Sequence, residues 1–347
     1  MLATGGDATD GRAERSHARK IIFVGGCTRS GSTVISDLIA QAPGVVSVGE
    51  LANVWKWGYL ENHLCGCGTP FLDCPFWNGV SQAAFRADTR DVPARDLAAA
   101  QQKVKGTKVL LQLWFPRLRT TSYKAALVEY VEVIESLYDA IASVSGADLI
   151  VDSSKAPHDA RLLRQAGRLE SHMVHVVRDS RGFSYAYTKH KVQSDVHWKY
   201  QELPRRPILR SVVTWSILNV MTELEGRRFE TTQTCRYEEV MRSPGAMLAS
   251  MADRFGEADV AERNGRTGRE VTLPLSHTAA GNPSRFAGGT TTLRVDDEWV
   301  DVMPGRQRSL ATLLTWPLLR RYGYPVAPWR GSQHGASQRS SGVGDRG

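Results

Sequence analysis

Short apolar runs alternate along this chain with longer stretches whose apolar positions recur every three or four residues. Lys20 to Gly25 contains Ile-Ile-Phe-Val ahead of a glycine pair and predicts a short buried strand. After a compact loop, Val34 to Gln41 places Val34, Ile35, Leu38 and Ile39 at helical spacing and stops before Pro43. Val45 to Val48 predicts a second strand. Tyr123 to Val144 is a long amphipathic helix with Leu127, Tyr130, Ile134, Leu137 and Ile141 on one face. Asp148 to Asp152 and Met173 to Val177 predict further strands, each leading into a helix, the first of which carries Pro157 in its opening turn. Thr231 to Arg236 is a last strand candidate, and Tyr237 opens another helix. Such alternation predicts one α/β domain of three layers, a central parallel sheet with helices on both faces.

Between Trp55 and Arg95 the pattern breaks into Gly, Cys, Pro and aromatics, which predicts an irregular, partly helical insertion spanning about 53–120. Residues 1–18 and 328–347 offer too little apolar surface to offset ordering entropy, so disordered tails are expected around a domain over 19–327. With 41% hydrophobic and 23% charged residues, wholesale disorder is excluded. The longest apolar stretch, Val212 to Met221, is about half of the roughly 20 residues a membrane helix needs, so no span is expected. The first residues lack the apolar core of a secretory signal and the chain has only 5 cysteines, which together lead to the expectation of a cytoplasmic protein.

Charge narrows the chemistry. The net charge is +8, and the segment from Arg178 to Arg210 holds eight Lys/Arg against three Asp/Glu. Such a block suits a polyanion, whether a phosphorylated small molecule or, given the interleaved Tyr185, Tyr187, Trp198 and Tyr200, a nucleic acid. The loop Gly26-Cys-Thr-Arg29-Ser30-Gly31-Ser32-Thr33 joins the first strand to the first helix. Glycines there let successive N–H groups converge on one anion at a helix N-terminus. The spacing matches a nucleotide-triphosphatase P-loop except that Ser32 stands where the phosphate-reaching lysine belongs. That loss, with no evident magnesium-binding acidic strand, disfavours a small-metabolite kinase and leaves a phosphate or phosphosulfate ligand open.

At these residues the chain resembles the sulfotransferases that use 3'-phosphoadenosine-5'-phosphosulfate (PAPS), in particular their bacterial branch. Arg29-Ser-Gly-Ser-Thr33 is similar to the 5'-phosphosulfate loop, and Val176-Val-Arg178-Asp-Ser-Arg-Gly to the 3'-phosphate motif. Further signatures follow in order: Val48-Gly-Glu50-Leu, Cys65-Gly-Cys67-Gly-x-Pro-Phe, Val151-Asp-Ser-Ser-Lys155, Gly281-Asn-Pro-Ser-Arg285-Phe and the closing Leu-Leu-Arg-Arg-Tyr-Gly-Tyr at 318–324. The resemblance implies a P-loop-type fold and PAPS as co-substrate, with no nucleic-acid partner and transfer to a small-molecule, sugar or lipid hydroxyl. It further implies that Arg29, Ser30, Gly31, Ser32 and Thr33 hold the phosphosulfate, that Arg178 and Arg285 bind the 3'-phosphate, and that Tyr237 packs near adenine. The family's serine eight residues after the arginine is Ala186 here, and Ser184 is the nearest substitute.

Sulfuryl transfer needs a base for the acceptor proton and cations at the leaving oxygen. Glu50, at the end of the second strand, is the candidate base, with His190 and His197 as alternatives; Arg29 and then Lys155 are the candidate cations. His175, alternating within a strand, is expected to be a packed polar residue. Cys65, Cys67 and Cys74 with nearby His63 make four zinc ligands on paper. Their spacing is unlike paired C-x-x-C knuckles, so packed thiols and no metal are expected.

Overall fold

The structure is a computed structural model that describes residues 19–326 apart from 191, 256–267, 274 and 287. Five strands, β1 (Arg19–Gly26), β2 (Val45–Gly49), β3 (Leu149–Lys155), β4 (Leu169–Val177) and β5 (Thr231–Arg236), make one parallel sheet in the order β2-β3-β1-β4-β5. Alternation along β1 explains its continuous apolar run. Ile21 and Phe23 enter one core with Ile150, Leu137, Ile141 and Trp55, while Ile22 and Val24 enter another with Val151, Val174, Ile35 and Leu248. Both faces are therefore buried, as an all-parallel sheet requires.

The helices are α1 (Ser32–Ile39), α2 (Pro75–Phe85), α3 (Ala94–Lys105), α4 (Leu110–Trp114), α5 (Thr121–Ser145), α6 (Pro157–Leu163), α7 (Ser180–Ala186), α8 (Ile208–Gly226), α9 (Tyr237–Arg242) and α10 (Pro244–Phe255), followed by Trp299–Val302 and Gly305–Arg321. The long helix α5 shows how sequence sets the boundaries. Thr120 Oγ1 accepts the Tyr123 N–H at 3.2 Å, and Gly146 in the left-handed region ends the helix. Val212 to Met221 lies inside α8, and among the described residues no helix is long and apolar enough to cross a membrane.

The structure fills in the insertion and corrects one strand boundary. The insertion is built mainly of helices α2, α3 and α4, with a 3-10 turn at Leu51–Asn53 and a π turn at Val54–Leu60. Trp55, Phe71 and Trp77 are fully buried in the core against α5, so these aromatics build the fold. The third strand runs on past Asp152 through Ser153 and Ser154 to Lys155, because a register shift lets Lys155 pair opposite Gly25. A small antiparallel pair, β6 (Glu270–Leu273) with β7 (Gly289–Thr292), was not among the expected strands; β6 alternates buried Val271 and Leu273 with exposed Glu270 and Thr272. The predicted tails, 1–18 and 328–347, lie outside the described residues.

Candidate active site at the carboxyl edge of the sheet

In open parallel sheets ligands sit beyond the carboxyl ends of the strands. Here β1 is the middle strand, so the loop that follows it has β3 and β2 on one side and β4 and β5 on the other. Arg29 and Gly31 both occupy the left-handed region, with φ of 64° and 83°. Gly31 has no alternative: a Cβ there would lie 2.4 Å from the Tyr237 ring. The Ile35 N–H bonds the Gly31 carbonyl at 3.1 Å, starting α1 directly at the loop. Ser30, Ser32 and Thr33 are buried, and the Ser30 Oγ has no partner.

On the β4–β5 side, Arg178 follows the last residue of β4 and is held from three directions. Its Nη1 donates to the Arg29 carbonyl at 2.9 Å and its Nη2 to Asp296 Oδ2 at 3.0 Å, while the guanidinium carbon lies 4.7 Å from the Tyr237 ring centroid. Its Nε is buried without a partner. The strand end itself is pinned by Tyr324 of the closing motif, whose hydroxyl donates to the Val177 carbonyl at 3.1 Å or to Glu238 Oε2 at 2.6 Å. Burial alone would raise the Asp296 carboxyl, but Arg178 and then Lys189 outweigh it and hold it below the usual carboxylate range. Tyr237 is buried between Arg178 and Gly31, where its ring braces the arginine. Ser184 is fully buried in α7 with an unpartnered Oγ, and the Ala186 carbonyl is taken by Arg29.

On the β2–β3 side, Glu50 and Lys155 meet. The Lys155 ammonium donates to Glu50 Oε1, and Asn53 Nδ2 donates to Oε2 at 2.9 Å. Lys155 ends β3 with a φ of 69°, a strained conformation for a residue with a side chain, typically costing about 1–3 kcal/mol. A buried network fixes that strand end. Asp152 Oδ1 accepts the Ser154 N–H at 2.8 Å, Tyr138 donates to Oδ2 at 2.6 Å, and Ser154 Oγ accepts the Ala52 N–H at 2.9 Å. Burial pushes the Asp152 carboxyl up to about 6, against these hydrogen bonds. Gly49 is the other glycine that sequence chemistry demands: its φ is 70°, and a Cβ would strike the Ala280 carbonyl at 2.3 Å. The Glu50 N–H bonds that same carbonyl at 2.9 Å.

Arg285 occupies a third position. Its side chain is fully buried, with Nη2 donating to the Leu64 carbonyl at 2.7 Å and facing Asp195 Oδ2 at 3.4 Å. Nε and Nη1 are buried without partners. Burial lowers its pKa, with Asp195 opposing. Asn282, in the same Gly-Asn-Pro loop, bonds Thr33 Oγ1 through its N–H at 3.5 Å. Arg285 shares no hydrogen-bond partner with Arg178. Thus the structure brings Arg178, Tyr237 and the loop together, and Glu50 with Lys155, but sets Arg285 on the Thr33 side.

Arg29 departs most from expectation. Its guanidinium lies 4.3 Å from the Tyr187 ring centroid and donates to the carbonyls of Ala186 and, at 3.5 Å, Pro204. Those partners belong to the basic segment, not to Glu50 or Lys155. Burial lowers its pKa below the ordinary guanidinium value. His190 is exposed and bonded to Glu202 at 3.2 Å, and His197 packs edge-on against Trp198, so neither alternative base joins the Glu50 pair. His175 is fully buried against Asn219 at 3.0 Å, as expected of a packed polar residue, and burial lowers its pKa to about 4. His63 bonds Asp195 and Glu61, both at 3.0 Å. It stands apart from the cysteines, whose imidazole neighbour is His277.

Sequence reasoning missed Asp296, Asp195 and the Asp152–Tyr138 pair. Asp195 did carry a signal, as one of three acids in the basic segment. Asp296 carried none, since only the fold brings it to Arg178.

No family model matches the chain, and no curated protein matches it. Among solved structures it is similar to a sulfotransferase domain from the curacin biosynthetic pathway, at 16% identity and a TM-score of 0.48, covering 89% of this chain and 100% of that one. It is also similar to the sulfotransferase STF9 from Mycobacterium avium, at 11% identity and a TM-score of 0.43, covering 89% of this chain and 78% of the other. Neither likeness bears on function, which has to come from the residues.

Proposed function

We propose that the chain transfers a sulfuryl group from PAPS to a hydroxyl acceptor. The observation that carries this reading is the arrangement about one loop. Arg178 stands on one side, the Glu50–Lys155 pair on the other, and buried donors of Ser30, Arg178 and Arg285 lack partners within the protein. PAPS carries anions at two separated ends, which suits cations on opposite sides of a central anion loop. Its 3'-phosphate takes the Arg178 fork by replacing Asp296, a geometry that planar guanidinium favours. The phosphosulfate lies over the loop, where Arg285, with a free Nη1 near Thr33, serves this end rather than the 3'-phosphate. Arg29, turned toward Tyr187, orders the loop and the basic segment and leaves the cation's task to Lys155.

Glu50 accepts the acceptor O–H proton, the acceptor oxygen bonds sulfur, and the sulfur–phosphate oxygen bond breaks. Its electron pair stays on adenosine 3',5'-bisphosphate. Lys155 moves from Glu50 toward the leaving oxygen as charge grows there, which frees the carboxylate to take the proton. ATP chemistry is disfavoured because Ser32 replaces the P-loop lysine and Asp152 is turned into the Tyr138–Ser154 network rather than toward a metal. The test is incubation with radiolabelled PAPS and a panel of phenolic, sugar and lipid alcohols. Acceptor-dependent release of adenosine 3',5'-bisphosphate is expected; phosphate transfer from ATP without sulfuryl transfer would overturn the reading.

A further inference from the structure

Outside the site just described, the Cys-Gly-Cys motif of the insertion meets a residue far away in sequence. Cys65, Cys67, Cys74 and His277 present three sulfurs and one imidazole nitrogen that all lie within 4.8 Å of one another. Cys65 and Cys74 are buried, and Cys67 and His277 are half-buried. A tetrahedral zinc with bonds of about 2.3 Å to sulfur and 2.0–2.1 Å to nitrogen sets sulfurs about 3.8 Å apart and sulfur and nitrogen about 3.5 Å apart. The observed separations are 3.6 Å for Cys65–Cys74 and 3.8 Å for Cys67–Cys74. His277 Nδ1 lies 3.3 Å from the Cys74 sulfur and 3.8 Å from that of Cys65. None of the sulfurs is bonded to another. Four thiol and imidazole groups have little reason to converge this way for their own hydrogen bonds, which are weak.

The surroundings fix the positions of these groups. Cys65 sits in a tight turn, its N–H bonded to the Thr69 carbonyl and its carbonyl to the Gly68 N–H, both at 2.8 Å. Cys74 stands directly before α2, whose first residue is Pro75. His277 stacks on Phe76, with ring centroids 4.8 Å apart and planes 9° from parallel, which fixes the imidazole's orientation. Orientation of ligands by such outer contacts is typical of metal sites.

We propose that Cys65, Cys67, Cys74 and His277 bind one zinc ion as a closed, structural site. Softness selects the metal: three thiolates and an imidazole in a tetrahedron suit zinc. Four protein ligands leave no open position for substrate, so the ion acts on architecture. It clamps the cysteine turn to the 276–280 segment, where the Gly66 N–H already bonds the Thr278 carbonyl at 3.0 Å. That segment bonds β2 on its other side, through Ala279 N–H to Val48 and Glu50 N–H to Ala280, both at 2.9 Å. The same turn supplies the Leu64 carbonyl to Arg285. One ion would thus hold both Glu50 and Arg285 in place from outside. This reverses the expectation of packed thiols and replaces His63 by His277, which sequence proximity could not reveal.

The site is tested on the full chain, carrying a tag without histidines and purified without chelators, by elemental analysis of bound metal. About one zinc per chain is expected, falling well below half in Cys74→Ser and His277→Ala. Should those variants fail to fold, cobalt added to the stripped wild type decides the matter. Thiolate-to-cobalt charge transfer and intense tetrahedral bands in the visible are expected. Zinc at less than about a tenth per chain with all three thiols open to alkylation, a disulfide among them in the non-reduced protein, or full zinc in both variants would each overturn the proposal. No substrate enters these measurements, so their outcome is independent of sulfuryl transfer.

Discussion

The two sides of the loop hold their cations differently. Arg178 is paired with Asp296, whose side chain is 39% exposed on the approach to Trp299–Val302. Lys155 is paired with Glu50, whose side chain is 11% exposed and held by Asn53 besides. Arg178 is itself only 6% exposed, so a phosphate that takes the place of Asp296 keeps the buried guanidinium paired while the carboxylate, already 39% exposed, returns to water. A buried pair cannot lose one member cheaply. The β4–β5 side is therefore suited to reversible binding. The β2–β3 side is suited to holding charge in one geometry until a substrate charge arrives.

This contrast breaks first at Glu50. Glu50→Gln should lower turnover by about 10²–10⁴-fold, roughly 3–5 kcal/mol of barrier, while bisphosphate affinity stays nearly unchanged. Acceptors of graded pKa sharpen it, because a phenol already partly ionised needs the base less than an aliphatic alcohol does. A uniform defect across the series would make Glu50 structural. Arg178→Ala should do the opposite, costing about 2–5 kcal/mol of donor affinity with turnover largely kept at saturation. Unchanged calorimetric affinity would remove Arg178 from the donor site.

Smaller effects test the loop between the two sides. Gly31→Ala forces a Cβ against Tyr237, and overpacking of this kind costs about 1–3 kcal/mol. Its loss should appear in donor affinity and in thermal stability together; a normal melting temperature with normal affinity would show that the loop can relax. Asp296→Asn should have the smallest effect and the opposite sign, tightening bisphosphate binding a few-fold, by at most about 1 kcal/mol. Weaker binding in that variant would mean that Asp296 helps hold the donor instead of competing with it.

The sheet was legible because β1, β3 and β4 carry apolar residues on both faces, which leaves unbroken runs in the sequence. The insertion was not, because its apolar residues pack inward from short helices and turns whose Gly, Cys and Pro content hides the period. Glu50, Lys155 and Arg178 could be singled out as candidates because each stands at or just past the end of a strand. Arg29's direction was invisible: which way a loop side chain turns depends on Tyr187 and Pro204, more than 150 positions away. The same limit hid Asp296 and made His63 look like the cysteines' companion in place of His277.

The central claim is a donor with phosphate at both the 3' and 5' positions of adenosine, bound across the loop with Arg178 at one end. Isothermal titration of the protein with adenosine 3',5'-bisphosphate, ATP and AMP tests it most directly, with Arg178→Ala measured alongside. The account predicts that the bisphosphate binds well and AMP, which lacks the 3'-phosphate, binds weaker by about 2–5 kcal/mol, with that difference gone in the variant. Equal affinity for AMP and the bisphosphate, or tighter binding of ATP, would contradict it.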